Sequence, residues 1–113
     1  MKAVELIANC KGKVIDAGIG KSGLIARKVS ATLSSVGISS FYLNPGEANH
    51  GDLGQIEKKD VLLVFSYSGN TAEITNMLKY ANRFNIKVIG VASKKDSLLL
   101  KASDISILLP KVK

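Results

Sequence analysis

The chain has 113 residues, of which 46% are apolar and 22% charged, so it can bury one real core and has no length for a second domain. That balance, with no low-complexity tract, excludes a disordered tail. The net charge of +7 comes from lysines scattered in pairs such as Lys58-Lys59 and Lys94-Lys95, without the arginine-aromatic interleaving or recognition-helix pattern of a nucleic-acid binder.

In chain order, Val14, Ile15 and Ala17 make a short apolar run that ends at Gly18, which predicts a first strand. Ile25, Val29, Leu33 and Val36 follow at helical spacing and predict one apolar stripe on a helix, stopped by Gly37. Ile38 to Leu43 reads as a second strand, with Phe41 and Tyr42 inside it. Residues 44–54, rich in Gly, Asn, Pro and acids, read as a loop or a loop with a short helix. Five consecutive apolar residues, Val61 to Phe65, predict a strand buried on both faces, as in a parallel sheet. After a polar turn at 66–70, Ile74, Met77, Leu78, Ala81 and Phe84 form a second helical stripe. Ile86 to Val91 predicts a fourth strand, Ser97 to Ala102 a short helix, and Ile105 to Leu109 a last strand ended by Pro110.

Strands and helices alternate throughout. Alternation with buried strands implies right-handed βαβ units and a parallel sheet covered by helices on both faces. Ligands of such sheets bind beyond the carboxyl ends of the strands, where two polar, glycine-bearing turns fall here.

The first turn, Gly18-Ile19-Gly20-Lys21-Ser22-Gly23, fits G-x-G-x-x-G between a strand and a helix. A dinucleotide site calls for an acid near the end of the second strand, which instead reads Tyr42-Leu43-Asn44-Pro45. A P-loop needs a glycine where Ile15 stands. Two readings remain: a plain strand-to-helix turn, or one whose backbone N–H groups approach an anion. No nucleotide cofactor is expected. The second turn, Ser66-Tyr67-Ser68-Gly69-Asn70-Thr71-Ala72-Glu73, crowds three hydroxyls at a helix start. A cap by Asn70 or Thr71 with Glu73 reaching back accounts for one of them, and Ser66, Ser68 and Thr71 together are suited to surround a phosphate. The third segment, residues 44–52, holds the only histidine, His50, between Glu47 and Asp52. It reads as a proton-transfer or ligand-contact group, or as a surface or packing histidine. No metal site is expected, because no second His and no nearby Cys can join it.

The three segments together resemble the sugar isomerase (SIS) domain family, closest to arabinose-5-phosphate isomerases of the KpsF/GutQ type. The residues that carry the resemblance are Gly-Ile-Gly-Lys-Ser-Gly at 18–23, Asn-Pro-Gly-Glu-Ala-Asn-His-Gly-Asp-Leu-Gly at 44–54 and Ser-Tyr-Ser-Gly-Asn-Thr-Ala-Glu-Ile at 66–74. The serine turn is common to the superfamily, and the loop around His50 is more specific to the isomerase branch. The resemblance implies one SIS domain over residues 1–113: a flavodoxin-like three-layer α/β/α sandwich with a five-stranded parallel sheet, assembled as a homodimer or homotetramer. It implies interconversion of ribulose 5-phosphate and arabinose 5-phosphate, the latter feeding lipopolysaccharide or capsule sugar. Carried over, Ser66, Ser68 and Thr71 hold the phosphate with help from Ser22, and Lys21, His50 and Glu73 match positions implicated in catalysis or substrate contact. No cofactor is implied.

The family pattern continues past the last strand into a helix and a Ser-His-Pro-Gly-Gly type segment, and full-length relatives often carry a pair of CBS domains. Neither lies in these residues, so an isolated or truncated domain is expected, either an isomerase or a non-catalytic sugar-phosphate sensor. The single Cys10, the lack of a signal-peptide pattern in residues 1–9 and the lack of any apolar run near the ~18 residues of a membrane span lead to the expectation of a soluble, cytoplasmic protein with neither membrane nor nucleic acid as a partner.

Overall fold

The computed structural model describes residues 2–18, 21–45, 56–66, 72–93 and 97–108. Five strands form one parallel sheet: β1 Val14–Gly18, β2 Ser40–Leu43, β3 Val61–Phe65, β4 Lys87–Ala92 and β5 Ile105–Leu108, in the spatial order β2-β1-β3-β4-β5. The helices are α1 Lys2–Ala8, α2 Lys21–Ser35, α3 Ala72–Arg83 and α4 Leu98–Ala102. This is the expected five-stranded α/β/α arrangement.

The sheet's two faces carry separate cores. Ile15 and Ala17 of β1, Leu62 and Val64 of β3 and Val88 of β4 face Ile74, Met77, Leu78 and Ala81 of α3 and Leu99 and Leu100 of α4. The alternate residues Val14, Val61, Leu63, Ile89 and Val91 pack with Val29 and Leu33 of α2 and Leu6 and Ile7 of α1. A strand buried on both sides needs apolar residues at every position, so the run at 61–65 is continuous. Helix α4 is capped as its sequence suggests, with the Ser97 hydroxyl accepting from the Leu100 N–H.

Two helices end in the same way. Gly37 takes φ 90° and donates to the Ser34 carbonyl, while Ile38 donates 2.9 Å to Leu33. Asn85, at φ 58°, closes α3 with Ile86 donating 2.9 Å to Ala81. Both follow the left-handed C-terminal cap, where Gly leads and Asn is tolerated. The cap also corrects the second strand: Ile38 commits its N–H to the helix end, so pairing with β1 begins at Ser40 rather than at residue 38.

The α2 stripe differs from expectation as well. Val29 and Leu33 do pack on the sheet, but Ile25 is 38% exposed and Val36 68%. The buried residues are Ser22, Gly23, Ala26 and Ser30. The helix therefore seats itself on its small residues, which let its backbone lie close to β1. Phe84 likewise leaves the core and rests its ring on Tyr80, with centroids 4.6 Å apart.

Candidate functional site

The order β2-β1-β3 means that the chain leaves β1 toward one side of the sheet and later returns on the other. The crevice between β1 and β3, at their carboxyl ends, is the switch point where doubly wound sheets take their ligands. Gly18, the last residue of β1, stands in register with Phe65, the last of β3. The glycine turn and the serine turn therefore leave adjacent strands at one level. Helix α2 follows the first turn and covers one face; α3 follows the second and covers the other. Both present their N-terminal, partially positive ends at this rim.

Two flanks share the anticipated residues. Lys21, exposed, and Ser22, only 6% exposed, open α2. Ser66, 7% exposed, comes directly after β3, and its N–H donates 3.0 Å to the Val91 carbonyl of β4. Glu73, half-buried, is the second residue of α3. The fold thus gathers Lys21 and Ser22 on one flank of the crevice and Ser66 and Glu73 on the other. His50, Ser68 and Thr71 lie outside the described residues.

Close packing sets the shape of the first turn. A Cβ on Gly18 would stand 2.6 Å from the Ser22 carbonyl oxygen, and one on Gly23 would stand 3.0 Å from the Gly18 oxygen and 3.1 Å from the Tyr42 hydroxyl. Only glycine fits between these backbones. The Tyr42 hydroxyl donates 2.8 Å to the Gly18 carbonyl, and the Arg27 guanidinium lies 4.3 Å from the centre of the Tyr42 ring.

Beneath the rim, β1 carries a carboxyl that the apolar run around it concealed. Asp16 is fully buried and points toward α2, where Ser30 hydrogen-bonds to it. Ser40 of β2 contacts its Oδ2, and Oδ1 has no hydrogen-bond partner. Burial, opposed by the bonds from Ser40 and Ser30, pushes its pKa up to about 6 from an ordinary 3.8. The local bonding suits a protonated acid. The Ser40 hydroxyl also donates 2.9 Å to the Val14 carbonyl, and one hydrogen cannot fully serve two acceptors. A protonated Asp16 would donate to Ser40 Oγ and let Ser40 pass its own hydrogen to Val14. An acid inside a buried strand was the available sequence signal; Tyr42, 24 residues from Gly18, offered none.

Among the described residues no group of three His, Cys, Asp or Glu side chains is placed to hold a metal ion, and no helix is long and apolar enough to cross a membrane.

The topology defines a doubly wound α/β protein whose strand order reverses between the first and third strands. The SIS domain model matches residues 6–113, and the chain belongs to the SIS domain family. It is 45% identical over 109 residues to an uncharacterized protein of Rickettsia prowazekii, covering 96% of this chain and 34% of that protein. It is 44% identical over 107 residues to the arabinose 5-phosphate isomerase KdsD of Pseudomonas aeruginosa, covering 95% of this chain and 33% of the relative. The structure of an E. coli CFT073 protein in complex with arabinose 5-phosphate superposes with a TM-score of 0.93 at 39% identity, covering 98% of this chain and 59% of that one. The chain thus spans about a third of the length of the curated relatives it matches.

Proposed function

We propose that this domain binds a five-carbon sugar phosphate at the carboxyl rim between β1 and β3 and serves the interconversion of ribulose 5-phosphate and arabinose 5-phosphate. The observation that carries this reading is the register of Gly18 with Phe65, which sets side by side the strand ends that lead into the glycine turn and the serine turn. Family membership and the similarity to arabinose 5-phosphate isomerases supply the substrate class.

In this reading the phosphate sits among hydroxyls and main-chain amides. Ser66, Ser68 and Thr71 hold it, Ser22 assists from the opposite flank, and the ends of α2 and α3 favour its charge. Lys21, exposed at the mouth of the crevice, steadies the negative charge that develops on the sugar oxygen. The chemistry is a proton shift. A base takes the proton from C2 of the open-chain aldose, and the C–H electron pair forms the C1–C2 double bond while the C1 carbonyl pair moves onto O1 and takes a proton. The enediol then gives up its O2 proton, forms the C2 carbonyl and is protonated at C1 to give the ketose. Glu73 or His50 serves as the acid/base or orients the hydroxyls. The substrate supplies both carbons and the enzyme only moves protons, so no cofactor is required.

The test is incubation of the chain with arabinose 5-phosphate in deuterated water. Deuterium carried on C1 of the ribulose 5-phosphate that accumulates supports the isomerase. Saturable binding without exchange points instead to a sugar-phosphate sensor, and no binding at all refutes the reading.

A further inference from the structure

We infer that Tyr42 is a positioning residue for the phosphosugar crevice, acting through the glycine turn it braces; this rests on the rim between β1 and β3 being the ligand site. Tyr42 lies on the edge strand β2 and stands opposite Asp16 of β1 in the parallel register. Its side chain lies on the α2 side of the sheet and touches the turn at two places and α2 beyond it at a third. The hydroxyl donates 2.8 Å to the Gly18 carbonyl, where β1 gives way to the turn. The same hydroxyl abuts Gly23, where a Cβ would stand 3.1 Å from it. One helical turn further on, Arg27 lays its guanidinium over the ring at 4.3 Å.

Tyr42 therefore ties the strand that enters the turn to the helix that leaves it. Between those anchors lie Lys21 and Ser22, the first two residues of α2. The Tyr42 hydroxyl engages the Gly18 carbonyl, so this acceptor is committed to β2 and does not oppose an anion at the start of α2. The tyrosine hydroxyl is the only part of the side chain that makes this bond, and removing it leaves the ring and its contact with Arg27 in place. Tyr42 thus acts on affinity through backbone orientation and needs no contact with the ligand itself.

Isothermal titration of the chain with arabinose 5-phosphate, wild type against Tyr42→Phe, tests the inference together with a melting curve and amide hydrogen exchange. A lost hydrogen bond of this kind predicts an affinity loss of about two- to tenfold. The expected companion results are a melting temperature close to wild type and faster exchange at Lys21 to Gly23 with β3 amides unchanged. Wild-type affinity in Tyr42→Phe, or a lower melting temperature with affinity retained, overturns the positioning role and leaves the proposed function standing. Failure of the wild type to bind arabinose 5-phosphate overturns both. Should Tyr42→Phe not fold, Arg27→Lys carries the test, because it keeps the charge and loses the flat group stacked on the ring. A loss of about twofold is then expected, and unchanged affinity overturns the inference.

Discussion

The two rims of the sheet handle polar groups in opposite ways. At the amino rim, buried Asp60 accepts from the Lys13 N–H at 2.8 Å and the Glu57 N–H at 2.9 Å, with the Lys13 ammonium 3.4 Å away. Asp104 accepts from the Val88 N–H at 2.8 Å. Each carboxylate there closes the backbone where a strand begins. At the carboxyl rim the fold brings Gly18, Gly23, the buried Ser22 and Ser66 and two helix N-termini together at the ends of β1 and β3. One rim is finished by the chain's own acids; the other is left rich in donors. Asp60 and Asp104 thus hold strand entries at the amino rim, whereas the proposed anion site draws on hydroxyls and amides at the other.

Breaking the amino rim has the largest expected effect. Asp60→Ala leaves two backbone N–H groups without their acceptor and destabilises the fold by about 2–4 kcal/mol in urea unfolding. Arabinose 5-phosphate affinity of the folded fraction stays at the wild-type value, because the lesion is at the far end of the sheet. Lost affinity together with lost stability would erase the distinction between the rims.

Asp16 sharpens the comparison, since it is the buried acid that lies toward the carboxyl rim and lacks a full set of partners. Its carboxyl is raised on folding from 3.8 to about 6, so the folded state disfavours the charged form. Its contribution is fully present below pH 3.8 and is lost as the pH climbs through 6. A shift of this size amounts to up to about 3 kcal/mol. Stability of the wild type relative to Asp16→Asn should therefore fall between about pH 4 and pH 7 and then level off. Parallel pH curves for the two proteins would show that Asp16 is not desolvated as described.

Smaller effects belong to the rim hydroxyls and to a helix end remote from it. Ser68→Ala and Thr71→Val should each weaken arabinose 5-phosphate binding by about 0.5–1.5 kcal/mol by calorimetry, with melting temperatures nearly unchanged. Unaltered affinity in both would remove the serine turn from the site. Gly37→Ala, at φ 90°, should lower stability by about 1 kcal/mol without touching affinity.

Much of this is legible in the sequence. Alternating strands and helices dictate the sheet and hence the rim, and the two turns fall on it because they follow the first and third strands. The α2 face is not legible in the same way. Hydrophobic periodicity reports which side chains are apolar, whereas the contact with β1 is governed by how close the backbones come. Ser22, Gly23, Ala26 and Ser30 win that contest by being small. In the sequence Asp16 is one polar residue in an apolar run, and its burial shows only in the fold. Tyr42 meets Gly18 only once β2 pairs with β1, a tertiary event with no local trace.

The most direct test is a crystal structure of the chain grown with arabinose 5-phosphate. The account predicts the phosphate within hydrogen-bond reach of the serine turn at 66–71, with the start of α2 on its other side. An ester bound at the amino rim, among Lys13, Asp60 and Asp104, with only solvent between β1 and β3, would contradict it.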